Sequence, residues 1–524
     1  MTPLAGAAAA PSLVQSVDWL AIAPPTVAAL AALAVLVADL FLPEHRKHLL
    51  GALALGGLAA AVLTIVPLVG ADLSTFCLTA DPADPADPTA PTGAAACSYV
   101  ADPFTLVVQF LVLGGALLAA LLSVPAVRDE RLPAGEYWFL LLTSAAGAAL
   151  LPASRDLATL VIALEVASLP AFALVGLRRG ERRSSEAALT FFLSSVTATA
   201  VMLLGISFVY AATGSLHLTV VAEQLTSVDP RLGTLAAAGV ALTLVGFAFK
   251  TAAAPFHFWV PDAYAGAPLP VAAYLSVIGK VVGFSGIALV TLVGFPTYAD
   301  VWGPALALLA ALTMTVGNLG ALRQGADRSR GAVRLLAWSS VGQAGYLLVP
   351  LAAAGRTPES GTADALGSTV AYALMYAVVN LGAFAVAAHV GGEGRLRDYR
   401  GLYARNPLAA LALGFFLLCL AGLPPGVIGL FAKVVVFRSA VDAGLGWLAV
   451  IMAVNVVLAL YYYLRWTALL FRGPEPAEAA TAPEGRRPGL GAPLAATLAV
   501  TGLVGVTLSG APQLVLRFAA TTLL

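Results

Sequence analysis

The 524 residues are 60% hydrophobic and only 11% charged, against about 25% charged in an average soluble domain, which excludes a soluble globular protein. Fourteen helices of about 22 residues would take up nearly all of that apolar content, so the composition fits an all-α polytopic membrane protein. Lys plus Arg number 28 and Asp plus Glu number 28, so no net field draws the chain to nucleic acid or to an acidic partner.

Met1 to Gln15 has no basic run of the kind that opens a cleaved signal peptide, and the first span is expected to insert and stay. A bilayer core of about 30 Å needs about 20 apolar helical residues. Windows of that kind run from Trp19 to Leu42, Leu49 to Gly70, Phe104 to Val124, Tyr137 to Leu151, Leu157 to Leu177 and Ala187 to Ala211. They continue from Leu232 to Phe256, Leu269 to Leu292, Gly303 to Leu322, Leu335 to Ala354, Leu366 to Val390, Leu408 to Ala440, Trp447 to Leu470 and Leu490 to Leu508. Of these fourteen predicted spans the fourth is short and the twelfth is too long for one straight helix.

Between the second and third spans, Ala71 to Tyr99 contains the acidic, Pro-rich run Asp81 to Pro88, which reads as extended or disordered. Cys77 and Cys97 flank it and are either a disulfide or two unpaired thiols. Gly473 to Pro488 is a second polar linker. Sorting cations by loop fixes an orientation, because cytoplasmic loops retain Lys and Arg. With the N-terminus outside, 20 cations fall on inside segments and five outside, at Arg155, Arg231, Arg356, Arg438 and Arg517. Both termini are therefore expected outside. The remaining three cations are Lys250, Lys280 and Lys433, all within apolar runs, and the chain has only one other Lys, Lys47.

Two spans carry helix breakers. The seventh reads Phe249-Lys-Thr-Ala-Ala-Ala-Pro-Phe-His257 and continues through Pro261, Pro268 and Pro270; the twelfth holds Gly422-Leu-Pro-Pro-Gly426 ahead of Lys433. Proline removes a donor and clashes with the preceding turn. Backbone freed in this way is tolerated at membrane depth only where protein buries it or it lines a hydrated cavity. Matched interruptions in two halves of a transporter mark its ion path.

Glu165 sits mid-way along the fifth span, where a carboxylate is costly unless paired, hydrated or protonated. Burial and pairing push the charge state of Lys and Glu in opposite directions. A Lys between those influences can change protonation when its neighbour moves, which Arg cannot do. Glu165, Lys250, Lys280 and Lys433 are therefore candidate proton-relay groups. The competing reading is a static buried salt bridge. His257, two helical turns beyond Lys250, would share its face if the helix continued and is a fifth candidate. Tyr461, Tyr462 and Tyr463 read as a packed or interfacial aromatic cluster. No nucleotide-binding loop, metal-ligand spacing or nucleophile elbow is present in the sequence, so a proton path here is driven by a gradient or by a partner.

The segments Leu164-Glu-Val-Ala-Ser-Leu-Pro170, Phe249 to Tyr264, Gly266-Ala-Pro-Leu-Pro-Val271, Ser339-Ser-Val-Gly-Gln-Ala-Gly-Tyr346, Ala421-Gly-Leu-Pro-Pro425 and Tyr461 to Arg465 carry a resemblance. Together they resemble the antiporter-like membrane subunits of proton-pumping NADH:quinone oxidoreductase (complex I), most closely the subunit N type. The resemblance covers about Asp102 to Arg465. It implies about fourteen transmembrane helices, two inverted five-helix repeats and broken helices 7 and 12. The implied division is 1–134 for helices 1–3, 135–295 for the first repeat, 296–472 for the second, and 473–524 for the linker and last helix. Glu165 and Lys250 match the acidic and basic pair of the first repeat, Lys280 the connecting Lys of the eighth helix, His257 the His after the break, and Lys433 the titratable group of the twelfth helix. Lys433 favours subunit N over subunit M. The end at Leu524 leaves no room for the lateral helix of subunit L. In three places the match departs: Thr190 stands where subunit N often has Lys, Gln343 where it often has His, and one residue more than the family pattern separates Pro425 from Lys433.

The resemblance further implies that this subunit binds no cofactor itself, with FMN, iron-sulfur clusters and quinone elsewhere in the complex. It implies lipid, neighbouring antiporter-like subunits and small membrane subunits as partners, in a bacterial plasma membrane. Two alternatives stay open: a cation/proton antiporter subunit of a multi-subunit secondary transporter, and a structural spacer whose buried charges only fix assembly.

Overall fold

A computed structural model describes residues 17–78, 96–357, 359–391, 394–473, 491–517 and 523–524. The run Asp81 to Pro88 and nearly all of the linker after Gly473 lie outside them. Two helices, α1 (Ala23–Phe41) and α2 (His48–Leu63), precede a short antiparallel hairpin of β1 (Leu73–Cys77) and β2 (Cys97–Ala101). Cys77 and Cys97 face each other in its register and are disulfide-linked. Next come α3 (Pro103–Asp129), α4 (Ala134–Leu150), α5 (Leu157–Val175), α6 (Arg182–Thr213), the short α7 (Leu218–Leu225), α8 (Gly233–Thr251), α9 (Val260–Gly266) and α10 (Leu269–Ala288). The remainder is α11 (Ala299–Leu322), α12 (Gly331–Ala354), α13 (Glu359–Val390), α14 (Leu402–Arg405), α15 (Pro407–Ala421), α16 (Val427–Asp442), α17 (Gly446–Phe471), α18 (Ala492–Gly510) and the last turn α19 (Gln513–Leu516).

Thirteen helices among the described residues are long and apolar enough to cross a membrane, and the chain is a multi-pass membrane protein. The twelfth predicted span resolves into the pair α15 and α16, each too short to span alone. The fourth predicted span lengthens, because a 3-10 turn over Leu151–Ala153 extends α4.

Helix starts follow local chemistry. Asp102 caps α3 by accepting from the Thr105 amide, with Pro103 in the first turn, and Asp156 caps α5 by accepting from the Thr159 amide. Asp102 has a second task. Its other oxygen pairs with the guanidinium of Arg155, which is only 7% exposed and also donates to the carbonyls of Pro152 and Ser154. Arg155, counted by position among the outside cations, is half of a buried pair that ties the start of α3 to the turn before α5. Asp102→Ala would leave that guanidinium buried without its counter-charge, a loss of about 3–5 kcal/mol. Thermal unfolding of the variant in detergent should show a lower midpoint, whereas Ser98→Ala, nearby on the hairpin, should not.

The centre of the molecule is α10, α12 and α13, buried along almost their whole length, while α1, α2 and α18 are peripheral. Helices in lipid approach through small residues rather than through hydrophobic drive. A Cβ on Gly283 would lie 2.4 Å from the Thr251 amide nitrogen, so the end of α8 rests directly on α10. A Cβ on Gly317 would lie 2.2 Å from the Gly342 amide nitrogen, which locks α11 to α12 in the same way.

Candidate functional site

Helices end at both Pro-containing segments. The helix α8 ends at Thr251, one residue past Lys250, and Ala252 turns into the left-handed region at φ 68°. The chain then runs through Pro255 to α9. The helix α15 ends at Ala421, Gly422 adopts φ 83°, and the chain passes Pro424 and Pro425 before α16 begins. A glycine suits that left-handed position. The peptides before Pro255 and Pro425 are cis.

Backbone groups freed at the breaks find partners inside the protein, as they must in hydrocarbon. The Ala254 amide donates to Thr313 Oγ1 at 2.8 Å, and the Phe249 carbonyl accepts from the Trp259 indole at 3.3 Å. At the second break the partner is a relay candidate. Lys433 Nζ donates to the carbonyls of Leu420 and Ala421 at 2.8 and 2.7 Å, the last carbonyls of α15. A cation there answers both the unsatisfied acceptors and the negative end of the helix dipole.

The three intramembrane Lys are 2–3% exposed. Lys250 Nζ donates to Ser168 Oγ at 2.7 Å, and Lys280 Nζ donates to Ser340 Oγ at 3.0 Å and to Tyr264 OH at 3.4 Å. All their hydrogen-bond acceptors are neutral. Each ammonium also lies over an aromatic ring: Lys250 over Phe191 at 5.6 Å, Lys280 over Tyr264 at 5.9 Å and Lys433 over Tyr346 at 5.7 Å, the separation at which a ring face attracts a cation.

Glu165 and Lys250 do not meet as an ion pair. Ser168, one turn after Glu165 on α5, accepts from Lys250 and passes its own hydrogen to the Leu164 carbonyl. Glu165 instead accepts from Thr199 Oγ1 of α6 at 2.6 Å. Lys250 therefore meets α5 one turn from Glu165, through the Ser168 hydroxyl and not through the carboxylate. Thr190, where a Lys is common in the resembling family, is exposed on α6.

His257 does not share a face with Lys250, because the helix between them ends at Thr251. It hydrogen-bonds neither Lys250 nor Lys280. Its ring packs on Trp338 with centroids 5.5 Å apart, and its Nδ1 is buried without a partner. The ring lines a cavity of about 480 Å³ shared with Asp262, Gln324, Arg328 and Arg334, which opens among the charged loop residues at the helix ends.

The tyrosines of α17 enter a buried hydrogen-bonded group that local sequence does not announce. Tyr461 is exposed, as an interfacial residue would be, but Tyr462 and Tyr463 are buried. Tyr463 OH lies 2.5 Å from Ser339 Oγ and accepts from Gln343 Nε2 at 3.1 Å. Gln343 Oε1 in turn accepts from Tyr372 OH, and the Tyr372 ring stacks on Tyr346, the ring beneath Lys433. Ser339 adjoins Ser340, the partner of Lys280. Hydrogen bonds thus join Ser339, Tyr463, Gln343 and Tyr372, and this group lies beside Ser340 in sequence at one end and against the Tyr346 ring at the other. The available signal was the pair of serines and Gln343 at helical spacing on α12, facing a Tyr on another helix.

Residues 154–459 match the family described as NADH:quinone oxidoreductase/Mrp antiporter, TM. The chain is 70% identical over 528 residues to NADH-quinone oxidoreductase subunit N 2 of Streptomyces griseus, covering 99% of this chain and 96% of that one. The chain belongs to the NADH-quinone oxidoreductase subunit N family. Within that family it is also 44% identical to subunit N of Salinispora tropica, over 97% of this chain and all of that one. Its fold matches a chain of respiratory complex I from Thermus thermophilus with a TM-score of 0.74 at 32% identity, covering 95% and 99% of the two chains. A chain of the Mrp complex from Dietzia matches with a TM-score of 0.78 over 96% of each chain, at 24% identity. That last likeness is one of fold alone. The subunit N family therefore accounts for the architecture, and the arrangement of this chain's own side chains bears on the chemistry.

Proposed function

We propose that this chain translocates protons in the membrane arm of NADH:quinone oxidoreductase, through Glu165, Lys250, Lys280 and Lys433, with His257 as the exchange group at one face. The observation that carries this reading is that three fully buried Lys have only neutral hydrogen-bond partners. A static salt bridge would give each a carboxylate. An ammonium held permanently at that depth without a counter-charge is costly, whereas an amine can accept and release a proton. Rearrangement of Glu165 relative to Lys250 alters the electrostatic balance at the first Lys. Protonation then passes to Lys280 and, by way of water and the Ser and Tyr hydroxyls of this region, to Lys433. The Gln343 amide does not titrate and serves only to orient the Tyr463 and Tyr372 hydroxyls. The cavity at His257 supplies an aqueous connection.

On this reading the chain sits in a bacterial plasma membrane with both termini outside, against neighbouring antiporter-like and small membrane subunits. The two breaks belong to two inverted repeats, 135–295 and 296–472, flanked by 1–134 and 473–524. FMN, iron-sulfur clusters and quinone reside elsewhere in the complex, and they supply the redox energy. Affinity purification of the full chain from its native membrane tests this assignment. The preparation should contain NADH-reducible flavin and iron-sulfur proteins. Recovery with an ion-exchanging complex that contains neither would support the cation/proton antiporter reading in its place.

A further inference from the structure

A second charged cavity, separate from the Lys path, lies where the ends of α3 and α5 meet the start of α12. Its volume is about 480 Å³, and four arginines line it, Arg131, Arg178, Arg179 and Arg330, against two carboxylates, Glu130 and Glu181. Two positive charges are left over among the lining side chains, one of which, Arg179, also faces Glu136. The pairing is also incomplete in geometry. Glu130 takes one edge of Arg178, from Nε at 2.7 Å and Nη2 at 3.0 Å. The remaining Arg178 nitrogen, Nη1, is buried without a hydrogen-bond partner and lies 3.7 Å from Glu181. Arg330 Nη2 also stands 3.7 Å from Glu181, and Arg179 Nη2 stands 3.7 Å from Glu136. All three separations exceed hydrogen-bonding distance.

The backbone adds an independent observation. Five non-glycine residues among those described have positive φ, and two of them are Arg131 at 51° and Arg330 at 54°. Such conformations are uncommon outside glycine, and they persist where the surroundings hold them in place. Here both bring an arginine to the same cavity. Burial pulls the Arg330 guanidinium down from its ordinary range, and the neighbouring Arg178 charge is the next largest cause. An anion in the cavity would relieve that repulsion.

We infer that this cavity binds a phosphate group, supplied by the headgroup of an anionic phospholipid. Guanidinium forks match phosphate oxygens in pairs, and basic pockets between transmembrane helices are built for such headgroups. The site lies at the ends of membrane helices, and Leu132, Pro133 and Leu177 also line it, which gives an acyl chain an apolar surface beside the charged floor. A soluble anion would have no use for that surface.

The test is thermal unfolding of the full chain in phosphate-free detergent with short-chain phosphatidylglycerol, phosphatidylcholine or inorganic phosphate added. Phosphatidylglycerol should raise the midpoint saturably by about 3 °C, with little effect from the other two. The rise should vanish in Arg330→Gln. Arg179→Gln, a more exposed substitution, should reduce it and serves as the second variant if Arg330→Gln folds poorly. An equal rise with inorganic phosphate would support the phosphate site and assign its occupant to a soluble anion. No rise, an equal rise with phosphatidylcholine, or an unchanged rise in both variants would overturn the inference.

Discussion

Replacing Lys250 by Met should leave an assembled complex whose NADH:quinone turnover, coupled to pumping, falls by at least about tenfold, equivalent to about 1.4 kcal/mol of barrier. Met is close to Lys in length and apolar, so the packing against Phe191 and α5 is kept while the amine is lost. Ser168 Oγ already donates to the Leu164 carbonyl, and removal of Lys250 costs it only a donor, so no buried hydroxyl is orphaned. Assembly should therefore survive, and the loss should appear in the rate of energised turnover. Glu165→Gln should give a milder version of the same defect, because Gln still accepts the Thr199 hydrogen bond while the negative charge is gone. Initial rates of NADH oxidation, with quenching of a pH-sensitive dye in sealed vesicles, measure both. Normal rates and normal pumping in an assembled Lys250→Met complex would remove the first Lys from the path.

Lys433→Gln should do more damage, because Lys433 caps a helix in addition to the relay role proposed for it. It closes the end of α15 by bonding the Leu420 and Ala421 carbonyls, and leaving a buried acceptor unsatisfied costs about 1–3 kcal/mol. The neighbouring packing leaves little room for adjustment. A Cβ on Gly429 would lie 1.8 Å from the Cys419 carbonyl oxygen, so α16 crosses α15 at backbone contact. We expect Lys433→Gln to lower the yield of assembled complex several-fold and to abolish pumping in what assembles. Lys433→Arg separates the two roles. A guanidinium still donates to both carbonyls and keeps the positive charge, but it does not release a proton. Assembly should recover toward the native level while pumping does not. Recovery of both would make Lys433 a helix cap alone.

Most of the fold is legible in the sequence because a bilayer imposes a single length rule on every apolar run. That rule fails where a run is interrupted without losing its apolar character. Leu408 to Ala440 reads as one over-long helix, since Gly422 to Gly426 contributes no charge to mark the junction between α15 and α16. The three Lys are legible as unusual because charge in hydrocarbon has few structural excuses. Their partners are not. Ser168, Ser340 and the Leu420 and Ala421 carbonyls are unremarkable in composition and become partners only through helix packing. Arg155 sits in a turn, as its position in the sequence indicates, but its burial is not legible there, because it comes from Asp102, 53 residues earlier, folded against it. His257 was placed by helical spacing, and the left-handed turn at Ala252 removes that spacing's meaning. Tyr463 and Gln343 belong to helices far apart in sequence, and no local pattern announces that they meet.

Lys280 is the most discriminating position, because it lies on the central helix α10 and its acceptors, Ser340 Oγ and Tyr264 OH, are neutral. The decisive measurement is the number of protons pumped per NADH oxidised by sealed vesicles carrying Lys280→Arg in the full complex. Arg keeps the charge and the donors but cannot hand a proton on. A relay through Lys280 requires that ratio, or the coupled rate, to fall sharply in fully assembled complex. An unchanged ratio at an unchanged rate would contradict it and leave the buried Lys as fixed charges.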